Sequence, residues 1–513
     1  MSSGHNLVDF EDGELLKAPG GKVRSHHHPG LDWVAPLAEV NEMVSMANDA
    51  ILIGAAEQYR LGEMLMPHVL TRLLHFSKIR CAGLVSADHT QVGGHTVRNY
   101  GECLLEMRSS RLKLIHFGGD LLGMDLVEGY RAAVDGEESE RFESLAAISS
   151  RPALLEYVRR RTGQISELAY VLAPDGEFYG AGLGFHAVGL PEPGKMSDVA
   201  KSELLEVLRR AQFVGVRDEA GADFLEGEGI AVERMPCALS VLPQVCGRQL
   251  RESRDREAIS AMRRRFPNGW ITVETSEVRE EDVDRLIQAL REVSDRENLG
   301  IVFFEANQVP GRERRSGLRR WVESFPEWQA AEFASDHLWE TASLLLHSRL
   351  YCGSCLSSRI ICMSGGVARI NVPTGSPAVR SYSELWEHDD VPIEFSPAEE
   401  WTEALLDALN VDLSILQQHS AWLHARYRES FDRFCRETGI EARLVPGQVM
   451  TEHQRVAEVR HHLHDEWLQD PASVRRFRLL NRSRCRSNGE RRHEDAGSSK
   501  PASPVRPGSA AAG

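Results

Sequence analysis

The sequence predicts an α/β protein made of two successive domains with mainly parallel sheets. Short apolar runs alternate with helix-length stretches from residue 50 to about residue 372. Glycines close several of those runs, as they do where a strand turns into a helix. A chain of 513 residues holds two or three domains at roughly 150 residues each.

The first element is Ala50-Ile-Leu-Ile-Gly-Ala-Ala-Glu57, an apolar strand stopped at Gly54. A loop through Gly62-Glu63 leads into a helix from Leu65 to Phe76. Ile79–Val85 is the next strand, and Leu112–Phe117 runs into Gly118-Gly119-Asp120. Ser150–Arg161 reads as helix and Leu168–Leu172 as strand. The wall between the domains is expected near Gly194, because Leu190-Pro-Glu-Pro-Gly194 suits neither a helix nor a strand.

The second half starts with a helix over Ser202–Ala211 and the strand Phe213–Val216, which meets Arg217-Asp218-Glu219 at the start of a helix. Ile230–Val232, Trp270–Val273 and Gly300–Phe304 continue as strands, with a helix over Glu280–Val293. Ser335–Leu346 is helical, and strand-like pieces follow near Ser348–Tyr351 and Val367–Val372. Expected boundaries are an N-terminal extension over 1–49, domains over 50–195 and 196–396, C-terminal helices over 397–470 and a tail over 471–513.

Charge separates the tail from the body. Lys and Arg number 60 against 76 Asp and Glu, a net charge of −16. From Pro471 onward ten basic residues face three acidic ones, so the body carries −23. An acidic body opposes duplex-DNA binding, which rests on phosphate neutralisation, and no specific nucleic-acid partner is expected. The Arg-, Ser-, Gly- and Pro-rich tail and part of the N-terminal extension read as disordered. No secretory signal or membrane span is visible, so a cytoplasmic, non-membrane-spanning protein is expected. Self-association stays open.

The nine cysteines form no regular framework, which fits a reducing compartment. Cys352 and Cys355 form a CxxC with no second pair, so buried free thiols are expected rather than a metal. No GxGxxG or P-loop is present, and no cofactor is expected. His461 and His464 share a helix face with Asp465 and Glu458, which reads first as a solvated surface. His26, His27 and His28 read as solvated as well.

In a parallel sheet, ligands bind beyond the carboxyl ends of the strands, where helix N-termini favour anions. Three places have that form: the Gly54–Glu63 loop, Gly118-Gly119-Asp120, and Arg217-Asp218-Glu219. An arginine at a strand end presents a fork suited to carboxylate or phosphate, with a structural salt bridge as its competitor.

Phe213-Val-Gly-Val-Arg-Asp-Glu219, Phe224-Leu225, Gly229-Ile230 and Pro236 together resemble the middle of the polysaccharide pyruvyl transferase family. Ile51-Leu-Ile-Gly54 with Leu61-Gly62-Glu63 is similar to the family's opening strand and loop, and the strand ending at Gly118-Gly119 to its glycine loop. Gly353–Ile370 is similar to its serine-leucine-histidine-glycine stretch. The resemblance spans about residues 50 to 375 and implies two Rossmann-like domains facing a cleft, a GT-B-like arrangement. It implies transfer of a pyruvyl group from phosphoenolpyruvate to two hydroxyls of a saccharide acceptor, as in exopolysaccharide biosynthesis.

Carried onto this chain, the resemblance gives Arg217, Arg359, Arg369, Gly118, Gly119, Asp120 and Gly62 as substrate-binding residues. Ser357, His347 and Glu63 are the candidates for catalysis. Ser357 stands where the family has histidine, and Cys237 follows Pro236 where it has aspartate. Glu63 replaces aspartate, Arg60 replaces asparagine, and Ala368 replaces a late proline. His116 and His186 are further substitutes for the missing titratable group. Whether the chain is an active enzyme is left open. The alternatives are a catalytically degenerate binding or regulatory member of the same family and a GT-B glycosyltransferase using a nucleotide-sugar.

Overall fold

The computed structural model describes residues 48–107, 111–172, 181–276, 278–307, 315–373, 377–396 and 400–443. The N-terminal extension, the His26–His28 run, the His461–His464 helix and the basic tail lie outside the described residues, apart from positions 48 and 49.

The first sheet contains β1 (Asp49–Ile53), β2 (Lys78–Gly83), β3 (Ala87–Asp88), β4 (Thr96–Asn99), β5 (Leu112–Phe117), β6 (Gly182–Val188), β7 (Phe213–Val216) and β8 (Glu233–Arg234). Its order is β3-β4-β2-β1-β5-β6-β7-β8, parallel except for the short β3. The second contains β9 (Trp270–Glu274), β10 (Gly300–Phe304), β11 (Ala330–Glu332), β12 (Leu350–Gly353) and β13 (Ala368–Asn371). It runs β11-β10-β9-β12-β13, wholly parallel. Continuous apolar strands such as Ala50–Ile53 and Gly300–Phe304 are buried along their length, because helices cover both faces of a parallel sheet. The α/β class, the parallel sheets and the C-terminal helices are therefore present.

The expected division at 195/196 does not coincide with the change of sheet. β7 and β8 pair into the first sheet, so the chain crosses to the second only between Arg234 and Trp270. The proline-glycine run at 190–194 makes a surface connection inside the first half, and local turn chemistry carries no information on sheet membership. Leu168–Leu172 forms no strand beyond one bridge from Leu168 to Asp125. The strand beside β5 is instead the glycine-rich Gly182–Val188.

Among the described residues three helices follow the second sheet, Ala378–Trp386, Trp401–Asn410 and the longest, Leu413–Thr438. That last helix returns to the first sheet, where Phe434 meets Phe213 edge-on at 5.4 Å and Tyr427 reaches His186 Nε2 at 3.1 Å. One apolar core is shared by both sheets, including Leu52 and Phe117 from the first and Phe304 and Tyr351 from the second. All eight described cysteines are free, and all but the half-buried Cys355 are buried. No described helix is long and apolar enough to cross a membrane.

Candidate active site

The carboxyl ends of the two sheets bring their loops together. β1 leads through Gly54–Arg60 into the helix Leu61–Leu73, and β12 leads through Ser354-Cys355 into the helix Leu356–Gly365. The first turns of these helices touch. A Cβ placed on Gly62 would lie 2.1 Å from Ser357 Oγ and 2.8 Å from Ser357 Cβ, so only glycine admits the approach. A narrow cleft beside this contact is lined by Tyr59, Leu61 and Met64 from one half and by Phe304, Glu305 and Asp336 from the other. The Leu61 N–H donates to Ala306 O across it at 3.1 Å, and the Tyr59 hydroxyl donates to Asp336 O.

Behind Gly62 lies a buried polar group. Glu63, 8 % exposed, accepts from the Gly119 N–H through Oε1 at 2.9 Å, while its Oε2 is buried with no hydrogen-bond partner. Gly118 has φ +106°, and a Cβ there would lie 2.3 Å from Glu63 Oε2. The glycine pair therefore lets backbone close on a carboxylate. Burial raises the Glu63 carboxyl above the usual range and Asp120 adds to this, while Arg217, the Gly119 N–H and Arg60 oppose it.

Arg217 leaves the end of β7 with its side chain 7 % exposed and donates from Nη2 to Asp120 Oδ1 at 2.9 Å. Asp218 caps the next helix, accepting from Gly221 N through Oδ1 and from Leu190 N through Oδ2, both at 2.8 Å. Burial pushes its carboxyl up to about 6. The buried Cys237 thiol interacts with the same arginine, and burial raises its pKa. Gly62, Glu63, Gly118, Gly119, Asp120, Arg217 and Ser357 are thus gathered at one end of the first sheet. The cluster can hold a small anion against Arg217 and exchange a proton through Glu63.

Three sequence candidates stand elsewhere. His347 closes the helix Leu338–Leu346 before β12, whereas Ser357 follows β12, so the strand separates them. Its Nδ1 lies 2.7 Å from Ser343 O. Arg359 and Arg369 are fully buried around Glu387. Arg359 Nη2 donates to Glu387 Oε2 at 2.7 Å and Arg369 Nε to the same oxygen at 2.9 Å. Arg359 also donates to Asn371 Oδ1 and Ile393 O, and Arg369 to Val367 O. Apart from the Arg359 Nε, which is buried without a partner, their donors are engaged inside the protein.

His116 and His186 are likewise interior. Leu172 N donates to His116 Nε2 at 3.1 Å, and burial lowers both imidazoles to about 3. Among the described residues no group of three or more His, Cys, Asp or Glu is arranged to hold a metal.

Sequence reasoning missed Glu57, a carboxylate 3 % exposed beneath the same loop. Its Oε1 accepts from the Tyr170 hydroxyl at 2.6 Å and from Leu84 N at 2.9 Å, and its Oε2 has no partner. Burial pushes it up to about 7, against its hydrogen bonds. It also missed Glu274, which accepts from the Ser354 N–H and hydroxyl and so shapes the loop before Ser357. Neither lies in a recognisable motif; an acidic residue at or shortly after the end of an apolar strand is the one signal they share.

Residues 164–354 match the polysaccharide pyruvyl transferase family model, which supports a glycan-modifying transferase. That segment contains Arg217 and Cys237 and ends three residues before Ser357. No curated protein matches the sequence. Among solved structures, the α,α-trehalose 6-phosphate synthase of Burkholderia multivorans is 11 % identical with a TM-score of 0.40, covering 77 % of this chain and 99 % of its own. The Methanocaldococcus jannaschii UDP-GlcNAc 2-epimerase, in complex with UDP-GlcNAc and UDP, is 10 % identical with a TM-score of 0.42. The coverages are 71 % and 93 %. A putative UDP-N-acetylglucosamine 2-epimerase from Listeria monocytogenes is 11 % identical with a TM-score of 0.41, covering 82 % and 98 %.

Proposed function

We propose that this protein transfers a pyruvyl group from phosphoenolpyruvate to a saccharide acceptor, forming a cyclic ketal. One observation carries the reading: a buried carboxyl with a free oxygen, Glu63, lies within electrostatic range of the anion-competent Arg217 where two helix N-termini meet. The family match over 164–354 supports a glycan-modifying transferase.

In this reading Arg217 and the helix N-termini beside it receive the phosphate and carboxylate of the donor. One acceptor hydroxyl adds to C2 of the enol while C3 takes a proton, giving a methyl group and a phosphorylated tetrahedral carbon. The second hydroxyl then displaces phosphate, which departs with the electron pair of the broken C–O bond. Of the two hydroxyl protons, one balances that delivered to C3 and the other leaves with phosphate. Glu63 is the candidate to deliver the C3 proton, since burial raises its pKa and so favours the acid form. Ser357 faces Gly62 at the seam and would contact the acceptor rather than titrate.

Calorimetric titration with phosphoenolpyruvate, with UDP alongside, tests the reading. Saturable phosphoenolpyruvate binding is expected, and Arg217→Ala should weaken it by about tenfold or more, as for loss of a charge-assisted contact. Binding of UDP alone would replace the reading with nucleotide-sugar chemistry. Binding of neither would favour the catalytically degenerate family member, consistent with serine in place of histidine.

A further inference from the structure

The helix Ala378–Trp386 and the residue after it touch both halves of the molecule. On the first-sheet side, Trp386 Nε1 donates to the Arg217 carbonyl at 2.8 Å. Ser381 Oγ accepts from Ala220 N at 3.2 Å, in the first turn of the helix that follows Arg217-Asp218. Tyr382 is buried, and its hydroxyl accepts from Cys237 N at 3.4 Å. On the second-sheet side, Glu387 is the carboxylate held by Arg359 and Arg369. Arg359 lies on the Leu356–Gly365 helix whose first turn carries Ser357. His419 completes the joint, with Nε2 at 2.7 Å from Trp386 O and Nδ1 at 3.1 Å from Arg369 Nη2.

We propose that Trp386 and Glu387 are positioning residues: the helix Ala378–Trp386 is a strut that fixes Arg217 relative to the helix bearing Ser357. The two elements come from different sheets, and a proton or group can pass between them only at a fixed separation. At the C-terminal end of this helix, Trp386 bonds the Arg217 backbone carbonyl, so it sets where the Arg217 side chain originates without touching a ligand. Glu387, the next residue, holds two guanidinium groups of the second half. Because the two clamps are adjacent in sequence, loosening one loosens the other. The functional part of this inference rests on the pyruvyl-transfer reading; the mechanical part does not.

The test is Trp386→Phe, which keeps a large ring and removes the N–H, with Ser381→Ala as a second, milder variant. Amide hydrogen exchange is followed in the 213–222 and 356–365 segments of the full chain. Faster exchange in both segments is expected for Trp386→Phe, although the residue bonds directly to only the first. Acceleration confined to 213–222, or none in either segment, would overturn the strut. In parallel, phosphoenolpyruvate affinity should fall about fivefold in Trp386→Phe, the size of one neutral hydrogen bond. Unchanged affinity in a variant of an otherwise binding protein would overturn the positioning role. If the unaltered protein binds no phosphoenolpyruvate, the functional reading fails, and the exchange pattern alone decides on the strut.

Discussion

Two buried charge clusters in this molecule use the same residue types and reach opposite states. Around Glu387, two guanidinium groups enclose one carboxylate. Burial alone would raise that acid, yet Arg369 and Arg359 hold it down to about 2. At the end of the first sheet the ratio is reversed. Arg217 faces Asp120, Glu63 and Asp218, while Glu57 lies close enough for Glu63 to raise it. There burial wins, and Glu57 and Glu63 each keep an oxygen without a partner. The first arrangement is a fastener with its charges fixed. The second is an incomplete set, of the kind that a ligand or a proton completes.

The sharpest way to break this comparison is Glu387→Gln, which leaves two buried guanidiniums without their counter-charge. A loss of about 3–5 kcal/mol in unfolding free energy is expected, measured by denaturant titration. A loss below about 1 kcal/mol would show that the cluster is not a fastener. Its pH signature is fixed by sign: a depressed carboxyl contributes above its unfolded value of 4.5, and the contribution disappears as pH falls towards about 2.

Glu57 should show the reverse. Its raised pKa means that its neutral form is the stable one. The stability it contributes is full below 4.5 and lost as pH rises through about 7. This slope amounts to about 3 kcal/mol across the interval, and Glu57→Gln should remove it, as seen in unfolding at stepped pH. A variant with the parent's pH slope would place the titration elsewhere.

The smallest effect sharpens the seam itself. Gly62→Ala should cost about 2 kcal/mol, because its methyl group meets Ser357. Adding Ser357→Gly should recover most of that loss in a double-mutant cycle by thermal unfolding. Simple additivity of the two substitutions would mean that the side chains do not meet.

The sheets were legible in the sequence wherever burial imposed long apolar runs, as in β1, β5 and β10. β6 was not, since three of the ten residues from Ala181 to Leu190 are glycine and the run resembles a loop. The boundary expected near Gly194 does not mark the change of sheet, for a different reason. Proline and glycine mark a turn, but sheet membership depends on long-range pairing, here between β6 and β7. At the site, Arg217, Gly118, Gly119, Asp120, Gly62, Glu63 and Ser357 follow from strand-end position combined with family resemblance, and the structure gathers them. Arg359 and Arg369 carry similar local cues, but they share the buried carboxylate of Glu387, 28 and 18 residues distant along the chain. Nothing local distinguishes a guanidinium paired with a part-exposed carboxylate, as Arg217 is with Asp120, from two that enclose a buried one.

The return of the Leu413–Thr438 helix to the first sheet also bears on biosynthesis. His186 and its partner Tyr427 are separated by 241 residues, and Phe213 is covered by Phe434 on the same helix. A nascent chain emerging from the ribosome therefore exposes that apolar face of β6 and β7 until the whole of the second sheet and most of the Leu413–Thr438 helix have been translated. At about 5–20 residues per second, the wait is on the order of 10–50 seconds. During that interval the half-finished protein is a natural client for a holding chaperone, and premature termination upstream of residue 413 leaves the sticky face permanently bare.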